Sequence, residues 1–236
     1  MDEFDKMNYR VYLSEGAKGV LLGVHGFGSS GDSPMLKEIG SALRGKGYTT
    51  ITFDLPSHGV NRNAVLTGLD ECTKAFEAAV SYARTFDEPL SVFATSFGAY
   101  LTLLHIARSG DVFQNVILRA PAVYMDETFD RLLSERGYDK GAEVWKLGQN
   151  YPVYVDRQFR EDLRENRLEN CDFPPCAPIV IQGEKDAVVD PKKNEAFFRT
   201  KFGEKATFRY FPEADHSFGN EGERDAVLDV VLSVFE

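Results

Sequence analysis

The sequence predicts an α/β protein with a mostly parallel central sheet that is covered by helices on both faces. Short runs rich in β-branched and aromatic residues alternate with segments in which apolar residues recur at helical spacing. The runs are almost continuously apolar, which is typical of parallel strands buried on both sides. A length of 236 residues suits one large domain, or one domain that carries an insertion.

The predicted strands are separated by amphipathic helices along most of the chain. They cover residues 9–13, 19–26, 50–55, 90–95, 115–120, 178–183 and 207–211. Ser33 and Pro34 are predicted to open the first helix as its N-cap and first helical residue. In a parallel sheet of this kind, ligands bind beyond the carboxyl ends of the strands. Reactive residues are therefore expected at the points where strands end.

The alternation breaks between residues 120 and 178, a gap too long for an ordinary connection in a compact domain. We predict a core formed by residues 1–122 and 174–236, with residues 123–173 inserted as a small helical or hairpin lid. Aromatic residues are scattered through the mixed charge of this lid. Three of them are candidates for a substrate pocket: Tyr124, Trp145 and Tyr154. The alternative is that they form the small core of the lid itself.

Composition excludes several classes of function. The net charge is −10, the pI is about 5.0 and no basic cluster occurs, which argues against nucleic-acid binding. No stretch approaches the roughly 20 apolar residues of a membrane span, and the acidic, polar start is unlike a secretory signal. A cytoplasmic location is therefore expected.

Three cysteines, Cys72, Cys171 and Cys176, favour a reduced compartment over a disulfide framework. A bridge between Cys171 and Cys176 is the less favoured alternative. Only four histidines occur, and none is paired with a cysteine at ligand spacing, which argues against a zinc site.

The stretch VFATSFGAY, residues 92–100, ends a strand in a serine and continues as a helix. Ala94 and Gly98 flank Ser96 at a distance of two residues, and a tight strand-to-helix turn requires small neighbours there. Such a turn would hold the hydroxyl clear of the sheet, at a helix N-terminus that favours developing negative charge. Ser96 is thus a candidate nucleophile. Taken alone, the motif fits a helix N-cap serine equally well.

A serine hydroxyl is a weak nucleophile and needs a base. His216, in EADHSF, directly follows the last predicted strand and is the candidate. The other histidines have structural explanations: His25 lies in a Gly-rich turn, His58 could brace the backbone of its loop, and His105 lies within a helix.

The base in turn needs a carboxylate to fix its tautomer and stabilise its charged form. The loop GEKDAVVDP offers two aspartates. Asp190 precedes a proline at a helix start and suits an N-cap. Asp186 has no such role and follows a strand end, so we prefer Asp186.

An oxyanion hole requires two backbone N–H groups. The amide of Phe97, which follows Ser96, is one candidate. The Gly-rich turn HGFGSSG, residues 25–31, supplies Phe27 as the other. A tight connection or a phosphate cradle would also explain such a turn, but neither G-x-G-x-x-G nor G-K-[ST] occurs there.

Together, five segments of the chain resemble the conserved loops of the α/β-hydrolase superfamily. They are HGFGSS, FDLPSHG, ATSFGA, GEKDAVV and ADHSF. The resemblance spans about residues 9–235 and implies a triad of Ser96, Asp186 and His216. It also implies an oxyanion hole at Phe27 and Phe97, with no cofactor. The chain departs from the pattern at Ala94 and at Ser57, which stand where the superfamily has glycine.

Within the superfamily, the short chain and its lid most resemble intracellular carboxylesterases, including cinnamoyl and feruloyl esterases. The resemblance implies a serine carboxylesterase that acts on a small-molecule ester as a monomer or homodimer. The charged lid lacks a long apolar face, so we expect short-chain or aryl esters rather than lipids. The alternatives are a monoacylglycerol lipase, an aminopeptidase and a non-catalytic binding protein. An aminopeptidase needs a carboxylate near the site, for which the lid offers Glu127, Glu135 and Glu143.

Overall fold

A computed structural model describes residues 7–110, 113–134, 138–139, 143–147 and 152–236. The strands are β1 Tyr9–Tyr12, β2 Val20–Val24, β3 Thr49–Phe53, β4 Val65–Leu66, β5 Leu90–Thr95, β6 Val116–Arg119, β7 Tyr138–Asp139, β8 Val144–Leu147, β9 Val153–Val155, β10 Pro178–Gly183 and β11 Thr207–Phe211. Seven of them form one sheet in the order β1-β3-β2-β5-β6-β10-β11. β1 runs antiparallel to β3, and every other neighbouring pair in this sheet is parallel. The predicted, mostly parallel sheet is confirmed.

The helices cover both faces of this sheet. They are α1 Pro34–Gly45, α2 Leu69–Arg84, α3 Phe97–Ser109, α4 Met125–Ser134, α5 Arg157–Glu165, α6 Pro191–Phe202 and α7 Glu223–Ser233. The chain moves from β2 to β3 in one direction and from β3 to β5 in the other, so right-handed crossovers put α1 and α2 on opposite faces. α1 packs with α7, and α2 packs with α3. Strands β2 and β3 are consequently buried along their whole length.

A second, smaller sheet accompanies the insertion between β6 and β10. Its strand order is β4-β9-β8-β7. Strand β4 belongs to the chain before α2, and its two residues pair in parallel with Tyr154 and Val155 of β9. The inserted segment therefore shares a sheet with the chain that precedes it. The division into a core and a lid at residues 123 and 173 stays a prediction.

Polar contacts also connect the insertion to the helices of the main sheet. The N-cap of α2 is Gly68, which has no side chain to accept from the first helical amide. Asp162 of α5 accepts this bond instead, since its Oδ2 lies 2.8 Å from the amide nitrogen of Leu69. The Tyr100 hydroxyl donates to the Asn166 carbonyl over 2.9 Å. Hydrogen bonds thus connect the inserted segment to α2 and α3 of the main sheet.

All three cysteines are free thiols in the structure. Cys72 and Cys176 are buried and Cys171 is half-buried. Burial raises the pKa of the Cys176 thiol to about 11. None of the helices in the described part of the chain has the length and apolarity needed to cross a membrane.

We expect Asp162→Ala to lower the free energy of unfolding by about 0.5–2 kcal/mol, the usual effect of removing a helix cap. The Leu69 amide would lose its acceptor while remaining part-buried. Denaturant unfolding monitored by circular dichroism measures the change. Glu161→Ala is the matched control, because the side chain of Glu161 pairs with Arg164 of its own helix rather than with α2. Equal stability of the two variants would contradict the capping role.

Candidate active site

Ser96 occupies a strained turn between β5 and α3. Its φ of +52° and ψ of −112° lie outside the regions that residues with a side chain normally adopt. The Ser96 amide donates to the Arg119 carbonyl over 2.9 Å. A Cβ atom at Gly98 would lie 2.5 Å from the His25 carbonyl oxygen, so the turn tolerates no side chain there. The Ser96 hydroxyl makes no capping bond to α3, unlike an ordinary N-cap serine.

The hydroxyl of Ser96 instead begins a chain of two hydrogen bonds. Its Oγ lies 3.0 Å from Nε2 of His216. Nδ1 of the same ring lies 2.8 Å from Oδ2 of Asp186. Because a carboxylate can only accept, Nδ1 carries the proton and Nε2 is free to accept from the serine. The three residues selected from the sequence are therefore connected by hydrogen bonds, with His216 between Ser96 and Asp186.

Asp186 is buried and its carboxylate is fully occupied by donors. Oδ1 accepts from the amides of Val188 and Val189 at 2.8 and 2.9 Å. Oδ2 accepts from Gln182 Nε2 at 3.4 Å in addition to the bond from the histidine ring. These bonds hold the carboxylate in one orientation, which in turn fixes the imidazole.

Asp190, the alternative carboxylate, has a different role. It is the N-cap of α6, and its Oδ1 accepts from the amides of Lys192 and Lys193 at 2.9 and 3.2 Å. The prediction that Asp190 caps a helix is confirmed.

The loop that carries His216 is shaped by the preceding aspartate. Oδ1 of Asp215 accepts from the Ser217 amide, the Ser217 hydroxyl and the Phe218 amide at 2.8, 2.6 and 3.2 Å. The Ser217 hydrogen bond is the main cause of a lowered pKa at Asp215. These hydrogen bonds fix the turn around His216 and leave both nitrogens of its ring available for Ser96 and Asp186.

A glycine at the end of β10 allows this loop to approach the loop of Asp186. A Cβ atom at Gly183 would lie 2.4 Å from the Ala214 carbonyl oxygen. The same carbonyl accepts from the Lys185 amide over 3.0 Å. The short distance between the carboxylate and the imidazole depends on this close backbone contact.

The amides of Phe27 and Phe97 have no hydrogen-bond acceptor among the described residues. Phe97 is the first residue of α3, and Phe27 lies in the turn after β2. Their rings meet edge to face, with centroids 5.6 Å apart. Unpaired amides beside the serine could stabilise a negatively charged oxygen. Their assignment as an oxyanion hole stays a prediction.

A cavity of about 390 Å³ opens beside Ser96 and His216. Its other lining residues include Phe27, Met35, Leu36, Arg119, Phe218 and Arg224. Trp145, Tyr154 and Tyr124 are not among the residues that line it. Two of the three predicted catalytic residues, Ser96 and His216, thus line one cavity, whereas the three predicted pocket aromatics do not line it.

Those three aromatic residues lie within the insertion or at its edge. The Arg160 guanidinium lies 5.9 Å from the Trp145 ring centroid on β8, and Tyr154 pairs with β4. Tyr124 lines a separate cavity of about 190 Å³, where Lys193 Nζ lies 5.4 Å from its ring centroid. Their contact with a substrate stays a prediction.

Two of the carboxylates considered for an amine-binding site, Glu127 and Glu143, do not line the cavity beside Ser96. Glu127 lies 2.7 Å from Lys193 Nζ in an ion pair, and Glu143 is exposed. Glu135 lies outside the described residues.

Two further features of the site were not predicted from the sequence. The first is Arg119, which lines the cavity and is the last residue of β6. The sequence signal that could have identified it is a charged residue at the end of the predicted strand NVILRA. Phe129 of α4 and Phe159 of α5 pack against Phe27, with ring centroids 6.0 and 6.2 Å from it. The insertion therefore contacts the turn that carries the candidate oxyanion amide.

His58 contacts the backbone of its loop, as the sequence predicted, and His25 in its Gly-rich turn does so as well. Nδ1 of His25 donates to the Gly26 carbonyl over 2.8 Å, and its Nε2 accepts from the Leu55 amide at 3.0 Å. Nδ1 of His58 donates to the Pro56 carbonyl over 2.7 Å. Burial lowers the pKa of His25 to about 4 and that of His58 to about 3. Both rings are therefore neutral at physiological pH.

The family model of the prolyl oligopeptidase family matches residues 57–235. The chain therefore belongs to that family, and it is a hydrolase with the α/β-hydrolase fold. No curated protein sequence matches it significantly.

Solved structures with low sequence identity share this fold over almost the whole chain. Est1E from Butyrivibrio proteoclasticus, with ferulic acid bound, is 17% identical with a TM-score of 0.78, and the match covers 96% of this chain and 94% of that one. The Paleococcus ferrophilus monoacylglycerol lipase is 16% identical with a TM-score of 0.74, covering 98% of both chains. Mouse α/β hydrolase domain-containing protein 10 is 13% identical with a TM-score of 0.71, covering 96% and 92%. The α/β-hydrolase resemblance of the sequence is confirmed.

We expect Asp186→Asn and Asp190→Asn to differ sharply in turnover. The first removes the charge that stabilises the imidazolium and favours the wrong tautomer, a change that costs roughly 10⁴-fold in comparable triads. The second keeps a cap, since asparagine caps helices about as well as aspartate. Measuring kcat/KM for both variants tests this assignment. Equal losses would contradict the choice of Asp186, and the reverse ranking would indicate Asp190 as the functional carboxylate.

We also expect the free energy of unfolding to fall as the pH drops from 6.5 toward 5. The unfolded chain takes up protons at His25 and His58 near pH 6.5, whereas the folded chain resists until about pH 4 and pH 3. Each ring adds up to about 1.4 kcal/mol per pH unit to this slope. Urea unfolding of His58→Gln at several pH values should give a smaller slope. An unchanged slope would contradict the buried, neutral state of His58.

Proposed function

We propose that the protein is a serine hydrolase that cleaves carboxylic esters of small or aryl acyl groups through an acyl-enzyme. The observation that carries this proposal is the continuous hydrogen-bond chain from Ser96 through His216 to Asp186 beside a cavity. A nucleophile, a base that can accept its proton and a carboxylate that orients the base are the minimum set for acyl transfer. Membership of a hydrolase family supports the same reading.

In the acylation step, Ser96 Oγ attacks the ester carbonyl carbon while His216 Nε2 takes the hydroxyl proton. The imidazolium that forms is stabilised by Asp186 at a distance of 2.8 Å from Nδ1. The amides of Phe27 and Phe97 donate to the negative oxygen of the tetrahedral intermediate. Collapse of the intermediate breaks the ester C–O bond, and His216 gives its proton to the departing alkoxide.

In the deacylation step, water replaces the alcohol and the same groups act again. His216 takes a proton from the water, whose oxygen attacks the acyl carbon. The second tetrahedral intermediate expels Ser96 Oγ, which recovers its proton from His216. The products are a carboxylic acid and an alcohol, and the reaction consumes one ester and one water.

The size of the cavity supports a compact substrate. A volume of about 390 Å³ is near the lower end of the about 300–1,000 Å³ of small-molecule sites. The ring of Phe27 forms part of the wall and is backed by Phe129 and Phe159. In this proposal, residues 123–173 act as a lid that supports the oxyanion turn and limits the length of the acyl group.

A peptidase activity is the second candidate, and the family match favours it. An aminopeptidase needs a carboxylate that pairs with the amine of its substrate. The charged residues that line the catalytic cavity, apart from histidine, are Arg119 and Arg224, and Glu127 is already paired with Lys193. The charge of the cavity is therefore better suited to an ester or to an internal peptide bond than to a free N-terminus.

We expect Ser96→Ala to retain the fold and to reduce ester hydrolysis by roughly 10⁴- to 10⁶-fold, the usual cost of removing a triad nucleophile. The measurement is kcat/KM on p-nitrophenyl esters from acetate to palmitate, methyl ferulate and aminoacyl p-nitroanilides. Ser233→Ala, a change on the last helix, is the control and should match the wild type.

The same panel separates the candidate functions. The proposal predicts the highest kcat/KM for short-chain or aryl esters. An optimum at twelve carbons or longer would indicate a lipase, and faster cleavage of the anilides would indicate a peptidase. Undiminished activity of Ser96→Ala would contradict the serine mechanism itself.

A further inference from the structure

Arg119 is a cation that lies directly beside the candidate nucleophile. It is the last residue of β6 and pairs in the sheet with Thr95 of β5. Its carbonyl accepts from the Ser96 amide at 2.9 Å, and its side chain lines the cavity. A substrate bound in the cavity next to Ser96 would therefore lie close to the charge of Arg119.

The guanidinium of Arg119 is incompletely paired. Nη1 donates to the Ser217 carbonyl over 3.2 Å, and the group lies 5.3 Å from the Phe218 ring centroid. Nε is enclosed and has no hydrogen-bond partner. Within the described residues, no carboxylate lies within ion-pair distance of this side chain. Cations that are removed from water are normally paired with an anion. The guanidinium of Arg119 therefore lacks the partner that its burial calls for.

The carboxylate of Asp186 acts electrostatically on Arg119 but forms no ion pair with it. Asp186 acts on it only at longer range, and the carboxylate of Asp186 already accepts from four donors. Burial lowers the pKa of Arg119 to about 10, and the negative charge of Asp186 opposes that shift. The guanidinium is therefore still charged at neutral pH.

The charge of the cavity contrasts with the charge of the whole protein. The chain carries a net charge of −10, yet the described residues that line the cavity include two arginines and no carboxylate. Arg224 is partly neutralised, because its Nε lies 3.2 Å from Oε2 of Glu38. Among the described residues Arg119 has no ion-pair partner, and its guanidinium places a positive charge next to Ser96.

We propose that Arg119 forms an anion subsite in the catalytic cavity and that the preferred substrates are esters carrying a carboxylate near the scissile bond. A guanidinium presents parallel N–H groups that match the two oxygens of a carboxylate. This inference rests on the proposed function and narrows its substrate class. Arg119 is thus a specificity-determining residue that contacts the substrate away from the reacting carbon.

A purely structural role for Arg119 predicts something different. Its bond to the Ser217 carbonyl could anchor the loop of His216. An anchor would affect every ester equally, because the base is common to all of them. An anion subsite affects a charged ester much more than an uncharged one of the same shape.

Two matched pairs of esters separate these roles. In 4-acetoxybenzoate and 4-acetoxybenzamide the charge difference is on the alcohol side of the ester. In p-nitrophenyl hemisuccinate and its uncharged amide it is on the acyl side. The ratio of kcat/KM within a pair, compared between wild type and variant, cancels the intrinsic reactivity of the esters.

We expect Arg119→Gln to lower this ratio by about 10- to 100-fold in at least one pair, the effect of losing a charged hydrogen bond. Arg119→Lys should keep part of the preference. Arg44→Gln, which removes an exposed positive charge that does not line the cavity, should keep all of it. In the wild type, added salt should reduce the preference for the charged ester. An equal loss on both members of each pair, or a ratio insensitive to Arg119 and to salt, would overturn the proposal.

Binding to Ser96→Ala tests the subsite without turnover. Ligand-detected NMR should give tighter binding of the charged member than of the uncharged member of a pair. The difference should vanish in the double variant Ser96→Ala/Arg119→Gln. If the wild type hydrolyses none of the esters but this difference is present, the proposed function fails and the anion subsite stands. If hydrolysis is observed but the binding difference is absent, the subsite fails alone.

Discussion

The sharp turn at Ser96 is the constraint on which the rest of the site depends. It forces one residue into a strained backbone conformation and holds its hydroxyl away from the helix it precedes. The strain is sustained from two sides, by the hydrogen bond from the Ser96 amide to the Arg119 carbonyl and by the close contact of Gly98 with His25. The parallel sheet then brings the loops of Asp186 and His216 to the same edge, because both follow strands that end there.

The sequence was sufficient to predict the main sheet and to select three residues that lie together in the structure, because both depend on where buried strands end. Buried parallel strands must be apolar along their length, so their ends are visible as abrupt changes in polarity. Ser96, Asp186 and His216 each follow such a change, and the structure joins them by hydrogen bonds of 3.0 and 2.8 Å. The helix cap at Asp190 was predictable because a proline at the first helical position marks it locally.

The features that sequence reasoning missed all depend on contacts between distant segments. The pairing of β4 with β9 joins two short strands with no signal of their own. Tyr124, Trp145 and Tyr154 were chosen by residue type, which does not give the direction of a side chain, and none of them lines the cavity beside Ser96. The lack of an anionic partner at Arg119 appears only when its surroundings are known. The positive charge of the cavity beside Ser96 was therefore recognised only from the structure.

The most direct test of the account is the site of covalent labelling by a fluorophosphonate, which reacts with serines activated by a neighbouring base. Intact-protein mass spectrometry should show one phosphonate per chain, and peptide mapping should assign it to Ser96. His216→Gln should leave Ser96 unlabelled, because the hydroxyl then has no base 3.0 Å away. Labelling of another serine, or of Ser96 at the same rate in His216→Gln, would contradict the account.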